Sequence, residues 1–303
     1  MIESAALSLK QTLLPQLQTL RFIPHPALAN PHSQTIWPAI LHRIRRPLPF
    51  RCERFITPDG DTLQLQHRDL APNSPRLLLL HGLEGDARSS SPQIMARAAQ
   101  QFGWNVTVLE FRGCGGPLNS ARRLYHSGET TDIHTVAHAL RARSDAPLYA
   151  MGFSLGANVL GKWLGEQGHA ACVDAAVLVS APFDLTAAGP MVDRALGGFY
   201  SRLFLKTLLP KALAKERQFP GCIDARRASS CRTLVEYDDT VTAPLHGFAN
   251  AREYYEKNGC GQVLAGVRRP TLLISAEDDP LIPGASLPRE AADRSPFLVP
   301  IWT

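Results

Sequence analysis

The stretch that decides the fold is LYAMGFSLGANVLGKWLGE, residues 148–166. Its first six residues form a short apolar run typical of a buried strand, and the residues from Leu155 onward have a helical composition. Between the two lies Gly152-Phe153-Ser154-Leu155-Gly156, which matches the G-x-S-x-G pattern of a sharp strand-to-helix turn. Glycine on either side of the serine lets neighbouring backbone pass close by. We therefore predict that Ser154 projects above a sheet as a catalytic nucleophile.

Strand-like and helix-like segments alternate on both sides of this turn. Apolar runs predict strands, and segments with helical spacing predict helices. The predicted strands are 52–57, 62–66, 76–80, 105–111, 148–153, 175–179, 271–275 and 297–302, and the predicted helices are 3–20, 91–101, 129–143, 155–166, 248–257 and 287–292. This alternation is typical of an α/β fold in which a mostly parallel sheet carries helices on both faces.

The alternation divides the chain into four parts. Residues 1–75 supply an N-terminal helix, a Pro-rich segment and a hairpin that join the core. Residues 76–183 form the first half of the core, and residues 246–303 form its second half. Between them, residues 184–245 contain helical pieces but no strong strand, so we predict a helical cap inserted over the sheet.

The loop after the first parallel strand reads His81-Gly82-Leu83-Glu84-Gly85. In serine hydrolases with this turn, that loop supplies one backbone N–H of the oxyanion hole, and the residue after the nucleophile supplies the other. We therefore assign the oxyanion hole to the N–H groups of Leu83 and Leu155. For the His81 side chain we expect a local hydrogen bond instead of a catalytic role.

A triad acid should follow a late strand, and Glu277-Asp278-Asp279-Pro280 directly follows the strand 271–275. We predict Asp279 as the acid, with Asp278 as the alternative. The triad histidine should come later still, but none of the ten histidines follows Asp279. His126 is the candidate pocket residue or stand-in base because its loop lies on the active side of the sheet, and His246 is the next candidate.

Several motifs together are similar to the YheT-like branch of the α/β-hydrolase superfamily, also called AB hydrolase family 4. They are NPHSQT at 30–35, HGLEG at 81–85, FRGCGG at 111–116, YHSGETTD at 125–132, GFSLG at 152–156, VSAPF at 179–183, NAREYY at 250–255 and DDP at 278–280. The resemblance implies an α/β-hydrolase fold with a helical cap, a Ser–Asp–His triad and hydrolysis of a small-molecule carboxylic ester, as in esterases and lipases.

Members of that family continue past the last strand into a Gly-Gly-His turn and a closing helix. The sequence ends before both, so we expect a form truncated at its C-terminus, with at most trace esterase activity. We also expect Phe297, Leu298 and Ile301 to lack a packing partner. Two alternatives remain open: a catalytically inactive truncated relative or binding module, and acyl transfer to an alcohol.

Two motifs allow more than one interpretation. The segment 125–130 either lines the pocket or starts a helix, with Ser127 or Thr130 as the cap. The segment 30–35 braces the cap or the mouth of the pocket. Residues 3–20 predict an amphipathic helix with Pro15 inside it, which packs on the body or makes a weak contact with a membrane surface.

Composition excludes several classes of protein. The net charge is +5, but six of the 32 basic residues are Lys and the arginines are scattered, apart from Arg43, Arg45, Arg46 and Arg51. Without a basic stripe we expect no nucleic-acid partner. The six cysteines show neither C-x-x-C pairs nor zinc spacing, so we expect no metal and no cofactor. No secretory signal or membrane-length apolar run is evident, which favours a cytoplasmic location.

Overall fold

The computed structural model describes residues 2–19, 22–41 and 47–303. Arg43, Arg45 and Arg46 of the basic cluster lie outside the described residues. The strands are β1 Arg51–Ile56, β2 Thr62–Arg68, β3 Arg76–Leu80, β4 Asn105–Glu110, β5 Leu148–Phe153, β6 Ala175–Val179, β7 Thr271–Ser275 and β8 Leu298–Trp302. The α-helices are α1 Ile2–Gln18, α2 Pro31–Leu41, α3 Ser90–Gln101, α4 Thr131–Ala142, α5 Leu155–Gln167, α6 Leu185–Arg194, α7 Phe199–Gln218, α8 Ala225–Ser230, α9 Leu234–Tyr237, α10 Ala243–His246, α11 Ala251–Asn258 and α12 Arg289–Arg294.

These strands form one mostly parallel sheet, which confirms the predicted fold class. Their order is β1-β2-β4-β3-β5-β6-β7-β8. β1 and β2 form an antiparallel hairpin, β2 is antiparallel to β4, and every later pair is parallel. Because the carboxyl ends of parallel strands lie at the same edge, the loops after β3, β5 and β7 meet at one end of the sheet.

A helical segment connects β6 to β7. From Leu185 to Gly266 the chain forms α6 to α11 together with 3-10 turns and a π-helical turn at Asp238–Thr242. It has an apolar core of its own, made by buried side chains of α7, α8 and α9 with the turns between them, among them Leu205, Leu208, Ala212, Ala228 and Leu234. The segment is therefore a packed helical layer over the carboxyl end of the sheet, not a loose loop.

The start of α4 differs from the expected capping. The helix begins at Thr131, and neither Thr130 nor Ser127 caps it through its side chain. Instead the Glu129 carboxylate accepts the Thr131 N–H at 2.8 Å. A carboxylate near a helix N-terminus also interacts favourably with the helix dipole, so Glu129 takes the role that the sequence assigned to a hydroxyl.

The N-terminal helix packs on the last strand. Ala6 of α1 is buried in the main core, and the Lys10 ammonium donates to the carbonyls of Ala292 at 2.5 Å and Ser295 at 2.8 Å. Phe297 and Leu298 are 1% and 0% exposed. The expectation that these two residues lack packing partners is therefore wrong, because α1 and α12 cover this edge. Among the described helices, none has the length and apolar character needed to cross a membrane.

Candidate active site

Ser154 occupies the turn between β5 and α5. Its backbone lies at φ 52° and ψ −119°, a left-handed conformation that is costly for a residue with a side chain. The Ser154 N–H donates to the carbonyl of Val179 at 2.9 Å, which ties the turn to β6. The side chain is exposed. The strained turn thus lifts a hydroxyl clear of the sheet, at the edge where the β3 and β7 loops also lie.

The glycines that flank Ser154 are required by close backbone packing. A Cβ on Gly152 would lie 2.4 Å from the carbonyl oxygen of Gly156, and a Cβ on Gly156 would lie 2.4 Å from that of His81. Both distances are far shorter than any real carbon contact. Glycine therefore allows α5 to start directly against the β3 loop, next to Ser154.

Two backbone N–H groups are available near the Ser154 hydroxyl. Leu155 is the first residue of α5, so its N–H has no acceptor within the helix. The Leu83 N–H has no acceptor among the described residues. Gly82 brings this loop close, since a Cβ there would lie 3.5 Å from the Cβ of Ser154. Together the two groups can donate to an oxyanion formed on a substrate attacked by Ser154.

The His81 side chain stabilises the loop at residues 81–85, which we call the oxyanion loop. It is 0% exposed. Its Nε2 accepts the Phe111 N–H at 3.2 Å, so the neutral ring carries its proton on Nδ1 and donates it to the Gly82 carbonyl at 2.7 Å. Burial lowers the pKa of His81 to about 4. A neutral, doubly hydrogen-bonded imidazole holds the loop in place, as expected from the sequence.

A cluster of Glu84, Tyr125 and Lys211 also holds this loop, and sequence reasoning missed it. Glu84 has φ 58°, its N–H donates to the Tyr125 hydroxyl at 2.9 Å, and that hydroxyl donates to Glu84 Oε1 at 2.9 Å. Lys211 of α7 pairs with the same oxygen at 2.8 Å. No local pattern could reveal a pair separated by 127 positions. The cap and the oxyanion loop are therefore joined through a carboxylate.

Asp279 follows β7 at the same edge of the sheet. Its Oδ1 accepts the N–H of Leu281 at 2.8 Å and of Ile282 at 3.2 Å, which fixes the carboxylate. Burial raises the pKa of Asp279. Asp278 is exposed to solvent. This geometry favours Asp279 over Asp278 for orienting a base, and the role stays a prediction.

His126 and His246 lie together in the pocket that contains Ser154, with ring centroids 4.4 Å apart. His126 Nδ1 accepts the Gly128 N–H at 3.1 Å, so its neutral ring carries the proton on Nε2. His246 Nε2 is buried and has no partner among the described residues. Burial lowers the pKa of both rings, and it lowers that of His246 to about 4. Within the described chain, neither ring is hydrogen-bonded to Ser154 or to Asp279.

A pocket opens above Ser154 between the sheet and the helical segment. Its cavity volume is about 140 Å³, and its mouth is open to solvent. Most of its wall is apolar and includes Leu83, Leu124, Leu155, Leu185, Val192, Phe204, Leu208, Leu234, Val241, Leu245, Leu281 and Ile282. Ser154 is one of the residues that line this mostly apolar pocket.

The two motifs with open interpretations both contribute to this region. Tyr125, His126 and Ser127 line the pocket, which supports the pocket interpretation of 125–130. In the 30–35 segment, His32 Nδ1 lies 3.2 Å from the Tyr200 hydroxyl of α7, so this segment braces the helical layer. Across residues 2–19, 22–41 and 47–303, no group of three or more His, Cys, Asp or Glu side chains is placed to hold a metal ion.

A family model described as alpha/beta hydrolase fold matches residues 75–297. The chain belongs to the α/β-hydrolase family. The Escherichia coli K12 protein YheT is 38% identical over 274 residues, which cover 88% of this α/β-hydrolase and 80% of YheT, so the chain falls in the YheT-like branch. A monoacylglycerol lipase of Saccharomyces cerevisiae is 30% identical, and the match covers 76% of this chain.

That match covers only 53% of the yeast lipase, so the chain spans about half of that relative's length. Among solved structures, the Pyrococcus furiosus esterase Pf2001 superposes with a TM-score of 0.55 at 14% identity, covering 84% of this α/β-hydrolase and 82% of the esterase. At that identity the likeness concerns the fold alone. The fold and the family therefore agree.

Proposed function

We propose that this α/β-hydrolase is a carboxylic-ester hydrolase with Ser154 as its nucleophile. The observation that carries the proposal is the exposed Ser154 hydroxyl, held on a strained turn between an apolar pocket and two N–H groups without acceptors. The name of the yeast relative, monoacylglycerol lipase, supports esters of fatty acids with small alcohols as the first substrates to examine.

The proposed reaction proceeds by acyl transfer through Ser154. The Ser154 Oγ attacks the ester carbonyl carbon while a base takes the hydroxyl proton, and the carbonyl oxygen becomes an oxyanion held by the N–H groups of Leu83 and Leu155. The carbon–oxygen bond to the alcohol then breaks, and the base returns its proton to that oxygen. Water hydrolyses the acyl-serine by the same steps and releases the carboxylic acid.

The general base in this site lacks an orienting carboxylate. His126 and His246 are the pocket imidazoles. His126 Nδ1 accepts the Gly128 N–H and its Nε2 carries the proton, so the neutral ring has no free lone pair, whereas His246 Nε2 has no partner among the described residues. Neither is positioned by Asp279. Losing an aligned base costs on the order of 10³- to 10⁶-fold in rate in serine hydrolases. We therefore expect slow turnover from these 303 residues.

A panel of p-nitrophenyl esters and monoacylglycerols tests the proposal. We expect slow hydrolysis that depends on Ser154, and none above background for Ser154→Ala. Equal rates above background would contradict the assignment of Ser154, and the absence of turnover in both proteins would favour a binding role. Adding a primary alcohol separates hydrolysis from acyl transfer, because transfer would yield a new ester in place of the free acid.

A further inference from the structure

The turn before α7 holds an apolar side chain at the surface of the helical cap. Leu196 has φ 47° and ψ 44°, and Gly197 and Gly198 after it also have positive φ. The left-handed conformation is unfavourable for leucine. Burial offsets little of this cost, because 47% of the Leu196 side chain stays exposed. A strained residue that the fold keeps at the surface indicates a role outside the packing of the fold.

Helix α7 continues this exposed apolar surface. Phe199 and Leu203 lie one turn apart and are 38% and 46% exposed. Phe204 and Leu208 lie on the other side of the helix and line the pocket that contains Ser154. Helix α7 therefore forms part of the pocket wall with its inner side and exposes apolar side chains with its outer side.

Basic side chains flank these apolar ones. Arg202 and Lys206 are exposed on α7, and Arg194 is exposed just before the turn. Within the described residues, none of the three has an ion pair. The sequence from 194 to 215 contains five basic residues and no acidic one. We call the following side chains the cap face: Arg194, Leu196, Phe199, Arg202, Leu203 and Lys206.

A second exposed apolar segment contacts α7. His32 Nδ1 lies 3.2 Å from the Tyr200 hydroxyl, and the two rings stack with centroids 5.9 Å apart. The segment around His32 exposes Phe22, Ile23 and Trp37. Six of the twelve large apolar side chains that are exposed in the described chain thus belong to these two contacting segments. Single exposed apolar residues need no explanation, but such a concentration indicates an interaction surface.

The charges of the cap face distinguish its candidate partners. In a symmetric contact with a second copy of the chain the same patch faces itself, so Arg202 and Lys206 would meet like charges. A nucleic-acid backbone would pair with these cations but would leave the leucines without an apolar partner. An anionic lipid surface matches both features, because its phosphates attract basic side chains and its acyl region accepts leucine and phenylalanine.

We propose that the cap face docks this protein on an anionic lipid surface. Helix α7 then lies in the plane of the interface, with its exposed apolar side chains in the acyl region and its cations at the level of the phosphates. The proposal is independent of ester hydrolysis, since it concerns the outer side of α7 and not Ser154. It also assigns the membrane contact to α7 and not to the N-terminal helix α1.

The test is co-sedimentation of the whole chain with vesicles of equal parts phosphatidylglycerol and phosphatidylcholine, and with vesicles of phosphatidylcholine alone. We expect binding to the anionic vesicles to be tighter by about tenfold or more at low salt, and to weaken as salt is added. Phe199→Ser with Leu203→Ser should lower this affinity by about tenfold or more, because two buried apolar contacts are lost. Arg202→Gln with Lys206→Gln should lower it by about 25-fold, which is about fivefold for each cation.

Each pair of substitutions has a matched control elsewhere on the surface. Leu7→Ser with Leu9→Ser removes two exposed leucines from α1. Arg252→Gln with Lys257→Gln removes two exposed cations from α11, where each of them pairs with a glutamate. Both controls should bind the anionic vesicles as tightly as the unchanged chain does.

No binding to the anionic vesicles, or an equal loss of affinity in a control pair, would overturn the proposal. A loss confined to the α1 pair would assign the contact to that helix and overturn it as well. If the Phe199 and Leu203 pair fails to fold, Leu196→Ser tests the same cap face from outside α7 and should lower the affinity by about tenfold. The Ser154→Ala protein should bind vesicles normally, so failure of the proposed ester hydrolysis would not affect this result.

Discussion

Replacing Gly156 by alanine should displace the turn that carries Ser154 and lower the reactivity of its hydroxyl, while the protein stays folded. The new Cβ would lie 2.4 Å from the His81 carbonyl oxygen and 2.6 Å from that of Leu80, and Cβ contacts below 3.0 Å essentially never occur. Helix α5 must therefore withdraw from β3 by at least about 0.6 Å, the gap between 2.4 Å and 3.0 Å. Overpacking of this kind costs about 1–3 kcal/mol of folding free energy.

The same shift moves Ser154 and the Leu155 N–H away from the Leu83 N–H, because the first two lie at the start of α5. A misplacement of about 1 Å can cost on the order of 100-fold in rate. We therefore expect the second-order rate of labelling at Ser154 by a fluorophosphonate to fall by about 10- to 100-fold in Gly156→Ala. Urea unfolding measures the accompanying loss of stability.

Gly161→Ala is the matched control on the same helix. Its Cβ would meet side-chain atoms, Leu178 Cδ1 at 2.9 Å and Cys260 Sγ at 3.1 Å, instead of strand backbone. This variant should lose stability without losing labelling, since the start of α5 need not move. Unchanged labelling in Gly156→Ala, or an equal loss in Gly161→Ala, would refute the steric reasoning.

Three further predictions concern buried polar side chains. Asp61→Asn should destabilise the protein by about 1–3 kcal/mol in urea unfolding, because it removes a charge-assisted hydrogen bond of 2.7 Å to the buried Arg112, which still keeps Asp59 and Asp132. Burial opposes ionisation of Asp61, but hydrogen bonds outweigh it and hold its pKa well below the ordinary value. The stabilisation of the folded state by ionised Asp61 is therefore complete above about pH 4 and is lost as the pH falls further. Acid unfolding should consequently begin at a higher pH in the Asp61→Asn protein. His246→Gln should lower the residual Ser154-dependent turnover more than His126→Gln does, and the reverse order in a steady-state assay would contradict the tautomer argument.

The strands were predictable because buried parallel strands are short apolar runs that turn residues delimit. The bounds of β3, β5, β6 and β7 agree with the sequence prediction at both ends. The placement of Ser154 and Asp279 at one edge of the sheet was predictable from the G-x-S-x-G pattern and the acidic motif after the strand at 271–275, since loops at the carboxyl ends of parallel strands share one edge. Local sequence therefore predicts the fold class and the strand-to-helix turn, whereas the catalytic role of Ser154 stays a prediction.

Contacts between distant segments were not predictable. The Lys211–Glu84 pair joins the cap to the oxyanion loop across 127 positions, and the tilted ring contact between His126 and His246 depends on how the helical layer returns to the sheet. The packing of α1 on β8 was not predictable for the same reason. An amphipathic pattern indicates that one face of a helix is buried, but it does not identify the surface against which that face packs. These contacts are determined by the tertiary fold and not by local sequence.

The most direct test of the central claim is the site of covalent labelling by a fluorophosphonate. The protein and its Ser154→Ala variant are treated alike, digested and analysed by mass spectrometry. The account predicts one modified residue, Ser154, with no labelling in the variant. A modified serine elsewhere with Ser154 untouched, or equal labelling of both proteins, would contradict it.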